Sequence, residues 1–364
     1  MKRVRPDEIE ISLFGPGYGE SVVIHLGVNQ WVIVDSCRDP ITRSIAPLDY
    51  LARIGVDPSV SVRLVIATHW HDDHVRGLSD LVEACTTADF VCASALTKSE
   101  FVTMVTRYEE GSAKTPSGSG VRELYQVLRH LTRTGRQVRF AAPNWLILRC
   151  PELSQAAGWG CEITTLSPSD KQLEMFWAEV GSQVPEIGHT VRRAVAKSPN
   201  HLAIALWVSL GEQAILLGSD LEETADTNTG WSVIVQSAER PQGAATAFKI
   251  PHHGSENGHS DDVWDQMVAK GAYALLSPFT NGNVRLPTND DVSRIVDRAG
   301  KAYITARPQS RAPVERPAIV ARAIRAHGGR LRLAEPKLGH IRLRKRHDPK
   351  HRWYVALTGG AYKL

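Results

Sequence analysis

Residues 68–74, which read THWHDDH, decide the fold, and they directly follow the apolar run VRLVIA. Such a run is typical of a buried strand, and polar side chains at its end need binding partners. Imidazole and carboxylate groups are ligands that Zn, Mn and Fe ions accept in proteins. The spacing therefore predicts a metal site at the end of this strand. We expect His69 and His71 to hold one ion, and Asp73 and His74 to turn towards a second.

Two later segments add metal-binding residue types at the ends of further predicted strands. In LLGSDLE, residues 216–222, Asp220 follows an apolar strand and a glycine, so it is the expected bridge between two cations. In KIPHHGS, residues 249–255, His252 and His253 precede a tight glycine turn. We expect His252 to bind metal and His253 to face the substrate, and the reverse assignment remains open.

These motifs together resemble the metallo-β-lactamase superfamily, whose HxHxDH signature is matched by residues 69–74. Within it they are most similar to the metallo-hydrolase domain of the ComEC competence proteins. PHHGS at residues 251–255 and the GYGES turn at residues 17–21 stand where that branch has comparable elements. Two positions depart from the branch: Leu286-Pro287 replaces a usual His-Pro, and Val34-Asp35-Ser36 lacks a glycine.

The resemblance implies an α/β fold, specifically an αββα four-layer sandwich of the metallo-β-lactamase type, with two divalent ions, Zn²⁺ or Mn²⁺. The residues that we assign to metal binding are His69, His71, Asp73, His74, Asp220 and His252. Asp73 and His253 are the expected catalytic residues, and Asp35 is expected to orient the ligand loop. His201 and His189 are candidates for a further ligand.

The motifs run through most of the chain, so we expect one domain over residues 1–364. Within it we expect a helical insertion at residues 100–135 and a basic C-terminal extension at residues 311–364. No run approaches the ~18 consecutive apolar residues that a membrane span needs, and the five cysteines form no CxxC pair. These features favour a cytoplasmic protein without membrane contact.

Basic residues are concentrated at the C-terminal end. The chain has a net charge of +4, but residues 301–364 hold 16 Lys and Arg against 3 Asp and Glu. Arg342, Arg344 and Arg346 alternate along a predicted strand, and such residues neutralise phosphates. We expect them to bind a nucleic acid substrate. A solvated edge strand that its charges protect from aggregation is the equal alternative.

The expected activity is phosphodiester hydrolysis by a nuclease that acts on DNA or RNA through a hydroxide bound by two metal ions. One alternative is hydrolysis of a small ester or phosphodiester of the lactone, thioester or choline-phosphate type. The other is a catalytically weak binding subunit of a larger complex. ComEC proteins carry a membrane channel that this sequence lacks, so a stand-alone nuclease with protein partners in a multi-component system is a further expectation.

Overall fold

The computed structural model describes residues 3–16, 18–93, 120–151, 153, 157–183, 199–308, 322–323, 337–346 and 352–364. The strands of these residues are β1 (Glu8–Gly15), β2 (Ser21–Gly27), β3 (Gln30–Val34), β4 (Val62–Ala67), β5 (Asp89–Ala93), β6 (Val138–Ala141), β7 (Trp145–Cys150), β8 (Cys161–Thr165), β9 (Leu206–Leu210), β10 (Gln213–Leu217), β11 (Ala245–Lys249), β12 (Val268–Leu276), β13 (Phe279–Asn281), β14 (Val284–Leu286), β15 (Lys301–Ile304), β16 (Gly339–Arg346), β17 (Tyr354–Thr358) and β18 (Tyr362–Lys363). The helices of the same residues are α1 (Ala46–Arg53), α2 (Pro58–Ser61), α3 (Asp72–Val75), α4 (Leu78–Ala84), α5 (Gly120–Arg133), α6 (Asp170–Gln183), α7 (Gly230–Gln236), α8 (Asp261–Gln266) and α9 (Asn289–Ala299).

Two eight-stranded sheets form the centre of the protein. The first has the strand order β17-β16-β1-β2-β3-β4-β5-β6, and the second has the order β18-β15-β12-β11-β10-β9-β8-β7. Strands β13 and β14 form a separate hairpin. The expected α/β fold is confirmed, and the two large sheets agree with a metallo-β-lactamase-type sandwich.

Two hydrophobic clusters hold the layers together. The first contains buried residues of both sheets and extends to α1, α4 and α5 through side chains such as Tyr50, Leu81 and Leu124. The second joins the second sheet to α7, α8 and α9 through Trp231, Trp264 and Ile295. Helices thus cover both sheets, and the layers follow the order α, β, β, α.

A 3₁₀ turn precedes β9 in the second sheet. Residues 199–202 form this turn, and β9 begins only at Leu206. Ala205 then bonds to the segment that follows β8: its carbonyl accepts from the Leu166 amide at 2.8 Å, and its amide donates to Ser167 Oγ at 2.8 Å. These irregular contacts bring residues 199–205 to the edge where the site lies.

The C-terminal residues contribute strands to both sheets. Strand β16 pairs antiparallel with β1, from Glu8 opposite Arg346 to Gly15 opposite Gly339. Strand β17 pairs with the other side of β16, and β18 pairs with β15 of the second sheet. Strand β16 is therefore an interior strand, and β17 forms the edge of the first sheet.

The expected insertion is described only in part. Residues 100–119 lie outside the described residues, and α5 follows them. Its Glu123 accepts hydrogen bonds from the Ser79 amide and hydroxyl, which joins α5 to α4. Among the described helices, none is long and apolar enough to cross a membrane.

The topology brings polar residues of both sheets to one edge. Strands β3, β4 and β5 run parallel, as do β10, β11 and β12. Side chains that follow the carboxyl ends of parallel strands meet at the same edge of a sheet. Asp35, His69, Asp220 and His253 follow β3, β4, β10 and β11 in this way.

Candidate metal centre

The loop after β4 supplies the first group of candidate ligands. His69 is fully buried, which lowers its pKa and favours the neutral, metal-binding form of the ring. Its Nδ1 lies 3.0 Å from the Thr68 hydroxyl, and its Nε2 lies 3.2 Å from Nδ1 of His71. One ligand atom each from His69, His71 and Asp220 lie within 4.8 Å of one another. These three residues could hold one ion.

The second group consists of Asp73, His74, Asp220 and His253, whose ligand atoms also lie within 4.8 Å of one another. Nε2 of His253 is 3.2 Å from Asp73 Oδ2 and 3.3 Å from Asp220 Oδ2. Nε2 of His74 is 3.3 Å from Asp220 Oδ1. Asp220 is common to both groups, which is where a bridging ligand would stand.

The buried carboxylates favour positive charge at two of these rings. Burial lowers the pKa of His74, but Asp220, Asp35 and Asp73 outweigh it and raise that pKa well above its usual value. Burial is likewise outweighed at His253, where Asp220 above all raises the pKa to about 10. The rings in turn hold the pKa of Asp220 well below its usual range despite burial. A metal cation satisfies the same electrostatic preference.

Asp35 fixes the orientation of the loop that carries the ligands. It follows β3 with a positive φ of 59°, and its Oδ1 accepts from the Thr68 amide at 2.8 Å. Its Oδ2 accepts from the Thr68 hydroxyl at 2.8 Å and lies 2.7 Å from Nδ1 of His74. Because Nδ1 of His74 faces this carboxylate, Nε2 faces Asp220, and carboxylates commonly orient metal-binding imidazoles in this way.

Three buried atoms of the cluster, His74 Nε2, Asp220 Oδ1 and Glu20 Oε2, make no hydrogen bond of normal geometry among the described residues, although the first two lie 3.3 Å apart. Buried polar atoms are normally satisfied, and two of these three belong to the candidate ligands. Both Zn²⁺ and Mn²⁺ accept nitrogen and oxygen donors of these kinds. The residues therefore fit divalent cations.

His252 lies at the rim of the cluster. Its Nε2 is 3.1 Å from Asn200 Nδ2, and its Nδ1 is 2.9 Å from Asn257 Oδ1. Among the described residues, it belongs to neither of the ligand groups that contain Asp220. The structure thus brings His253 into contact with Asp73 and leaves His252 outside, which is the arrangement that the sequence kept as its alternative.

His201 and His189 were the two candidates for a further metal ligand, and the structure describes only the first. His201 is 36% exposed at its side chain, and its Nε2 lies 4.0 Å from Glu222 Oε2. It too stands outside the ligand groups found among the described residues. His189 lies outside the described residues.

A buried ion pair between Lys249 and Glu20 was not predicted from the sequence. Each residue is 2% exposed, and the ammonium group of Lys249 contacts the Glu20 carboxylate directly. It also donates to the Ser219 carbonyl at 2.8 Å and lies 3.7 Å from Asp220 Oδ1. The available signal was a lysine that ends the otherwise uncharged strand ATAFK.

The three predicted substrate-binding arginines lie on β16. Arg344 forms an ion pair with a buried carboxylate, since its Nε lies 2.5 Å from Oε2 of the fully buried Glu10. Gly339 begins β16 beside Gly15, at the edge where the site lies, and Arg346 stands at the opposite end. Arg342, Arg344 and Arg346 therefore lie progressively further from the candidate metal centre along the strand.

Comparison with known families agrees with this geometry. Residues 14–140 match the family model of the metallo-beta-lactamase superfamily. This match covers about a third of the chain and includes β2 to β5, Asp35 and the whole HxHxDH segment. Residues 14–140 are therefore similar to a metallo-β-lactamase superfamily domain, and the ligand groups give this region a candidate metal centre.

Similarity to individual proteins is weak. No curated protein matches the chain. Among solved structures, it is similar to the metallo-beta-lactamase fold protein YhfI from Bacillus subtilis, with 12% identity and a TM-score of 0.34 over 66% of this chain and 70% of that one. A mutant of the CmlA beta-hydroxylase shares 14% identity with a TM-score of 0.40 over 94% of this chain and 55% of that one. A metallo-beta-lactamase from Pontibacter korlensis shares 15% identity with a TM-score of 0.26 over 60% of this chain and 72% of that one. Sequence identities and TM-scores this low do not indicate the function of the chain.

Proposed function

We propose that this protein is a metal-dependent phosphodiester hydrolase, similar to the ComEC branch of its superfamily, that acts on DNA or RNA with two divalent ions. The observation that carries the proposal is the shared position of Asp220. It stands between one ligand group with His69 and His71 and a second with Asp73, His74 and His253. Two adjoining sites with a common carboxylate are suited to a pair of cations.

The buried charge supports two ions rather than one. Glu20, Asp35, Asp73 and Asp220 are each at most 5% exposed, and the buried Lys249 is the cation that faces them. Four carboxylates and one ammonium group carry a charge of −3. One divalent ion would leave −1, which repels an anionic substrate, whereas two would leave +1, which attracts a phosphodiester.

The protein residues have separate parts in this proposal. His69 and His71 would hold one ion, Asp73, His74 and His253 would hold the other, and Asp220 belongs to both ligand groups. Asp35 keeps the His74 ring in place. When bound, two such ions lower the pKa of a water molecule and neutralise charge on a phosphoryl oxygen.

Nucleic acid is the proposed partner because the C-terminal residues 301–364 are strongly basic and because the motifs resemble a branch associated with DNA. The placement of β16 limits which arginines can take part. Arg344 is engaged with Glu10, and Nε and Nη1 of Arg342 are buried, so Arg346 is the remaining candidate of the three.

The test is an activity panel with metal content measured on the same sample. Purified protein with Mn²⁺ or Zn²⁺ is assayed on single-stranded DNA, double-stranded DNA, RNA and a chromogenic phosphodiester. We expect metal-dependent cleavage that Asp73→Ala and Asp220→Ala abolish and that the surface variant Asp226→Ala retains. Cleavage of none of these phosphodiesters by metal-loaded protein, or undiminished activity in both site variants, would overturn the proposal.

A further inference from the structure

A row of planar side chains extends outward from the candidate metal centre. The ring of His253 stacks on Phe279 with their centroids 5.1 Å apart and their planes inclined by 27°. Phe279 packs in turn on Tyr18 at 5.6 Å. The guanidinium carbon of Arg76 lies 4.4 Å from the centroid of the Tyr18 ring. Arg76 is therefore linked to a candidate ligand through two aromatic rings.

Three separate segments build this row. Tyr18 belongs to the turn between β1 and β2, Phe279 begins β13, and Arg76 follows the HxHxDH segment by two residues. Burial raises the pKa of Tyr18, Arg76 lowers it, and Asp73 and Asp72 add to the rise. Two residues after Tyr18, the amide of Glu20 donates to the Asp73 carbonyl at 2.9 Å. The Tyr18–Arg76 pair thus lies beside the cluster that contains Asp73.

Arg76 is well placed to bind an anion there. Its side chain is 43% exposed, and its contact with Asp72 is long, at 3.9 Å. Such a long and exposed ion pair is weak, so it gives little resistance to exchange for a stronger partner. Guanidinium binds phosphate through two parallel hydrogen bonds, and the Tyr18 ring holds the guanidinium by a cation–π contact.

We propose that Arg76 binds a phosphate of the substrate other than the one that is cleaved, and that Tyr18 and Phe279 position its guanidinium. This inference rests on the proposed function, because it requires a substrate with more than one phosphate. A nucleic acid strand meets that requirement, whereas a small phosphodiester does not. Arg76 thereby makes the site selective for polynucleotides.

The test measures cleavage of two substrates, an oligonucleotide and a chromogenic phosphodiester, and the binding of a labelled oligonucleotide. In Arg76→Gln, we expect the KM for an oligonucleotide to rise by about 10-fold, because a charge-assisted pair is lost, while kcat/KM for a chromogenic phosphodiester stays within about two-fold. Fluorescence anisotropy with a labelled oligonucleotide should show weaker binding, and the slope of log affinity against log salt should fall by about one. Arg76→Lys should recover part of the affinity, since lysine keeps the charge but loses the paired geometry.

Matched variants separate positioning from general damage. Arg38→Gln is the control, because Arg38 has a similarly exposed side chain, 35%, and already contacts Asp80 at 2.6 Å. Tyr18→Phe should keep the wild-type salt slope, whereas Tyr18→Leu should lower it as Arg76→Gln does. An unchanged slope in Arg76→Gln, or an equal loss on both substrates, would overturn this subsite. A wild-type protein that binds the oligonucleotide with the expected slope but cleaves nothing would overturn the proposed function instead.

Discussion

Lys249 and Glu20 form a buried ion pair that connects the end of β11 to the turn before β2. The same ammonium group donates to the carbonyl of Ser219, the residue before Asp220. Burial lowers the pKa of Lys249, but Glu20 and Asp220 outweigh it, so the pKa is raised and the lysine stays charged. One cation therefore fixes the backbone at the shared ligand and neutralises part of the carboxylate cluster.

Replacement of Lys249 by Met should destabilise the metal-free protein strongly. The substitution keeps the length of the side chain but leaves Glu20 buried without its partner, which typically costs about 3–5 kcal/mol. Urea denaturation in the presence of a chelator measures this change in the free energy of unfolding. Lys171→Met is the control, because Lys171 makes an exposed pair with Glu174. Glu20→Gln combined with Lys249→Met should recover part of the loss, and a single variant as stable as the control would contradict the assignment.

Removal of Asp220 should affect both ions, whereas removal of His69 should affect one. Asp220→Asn takes a ligand from both groups, and His69→Gln takes a ligand from the first group alone. Calorimetric titration with Mn²⁺ or Zn²⁺ should therefore give two bound ions per chain for the wild type and about one for His69→Gln. Asp220→Asn should bind fewer ions than His69→Gln does. Asp226→Asn should bind as the wild type does. A stoichiometry of two in Asp220→Asn would exclude a shared ligand.

Asp35→Asn should weaken metal binding without loss of the fold. Asparagine tolerates the positive φ of this position and can still accept from the Thr68 amide, but it removes the carboxylate charge beside His74 Nδ1. Loss of such a supporting carboxylate typically costs 10–100-fold in metal affinity. The measurement is a competition titration against a chelator dye, with the helix-capping variant Asp57→Asn as control. Equal affinities in the two variants would show that Asp35 does not act through His74.

The sequence predicts the residues of the site better than their arrangement. Contiguous apolar runs before residues 69 and 220 are enough to place both after strands, because each pattern is local. The choice between His252 and His253 is not local, since it depends on which ring turns inward. Both have positive φ values, 44° and 54°, which non-glycine residues seldom adopt, and no sequence periodicity indicates such a turn.

The sequence also did not predict the buried ion pairs between residues that lie far apart in the chain. Glu20 and Lys249 lie far apart in the sequence, and each alone reads as an ordinary surface residue type. Similarly, Arg344 reads as part of an exposed basic run, but β16 lies inside the sheet and places it against Glu10. Charge patterns therefore predicted the chemistry of these segments but not which charges become buried.

Arg344→Met should destabilise the protein far more than Arg346→Met. Glu10 is fully buried and accepts from Ser12 Oγ at 2.7 Å and from the Tyr50 hydroxyl, and Arg344 is the cation paired with it. Its loss should cost about 3–5 kcal/mol, whereas surface changes usually stay within about 0.5 kcal/mol. Thermal and urea denaturation measure both variants. Glu10→Gln with Arg344→Met should restore part of the stability, and equal effects of the two single variants would contradict a buried pair.

Acid should destabilise the protein through two buried histidines on the first sheet. Burial lowers the pKa of His25 to about 4, and burial together with nearby arginines, Arg342 first among them, lowers that of His340 to about 3. The unfolded chain binds these protons near pH 6.5. The stabilisation is therefore complete above that pH and decreases as the pH falls through the interval down to each folded value, by up to about 1.4 kcal/mol per pH unit for each ring.

Variants of the two rings should change this dependence over different intervals. His340 stacks on Phe14 at 4.2 Å and contacts Ser12 Oγ at 2.9 Å, so His340→Gln retains a polar group there but removes the titration. In chelator-treated protein, the slope of unfolding free energy against pH should fall by about one proton in His340→Gln from pH 6.5 down to about 3. In His25→Gln the same reduction should end near pH 4, because the wild-type ring takes up its proton there. An unaltered slope in both variants would show that neither ring is held neutral in the folded protein.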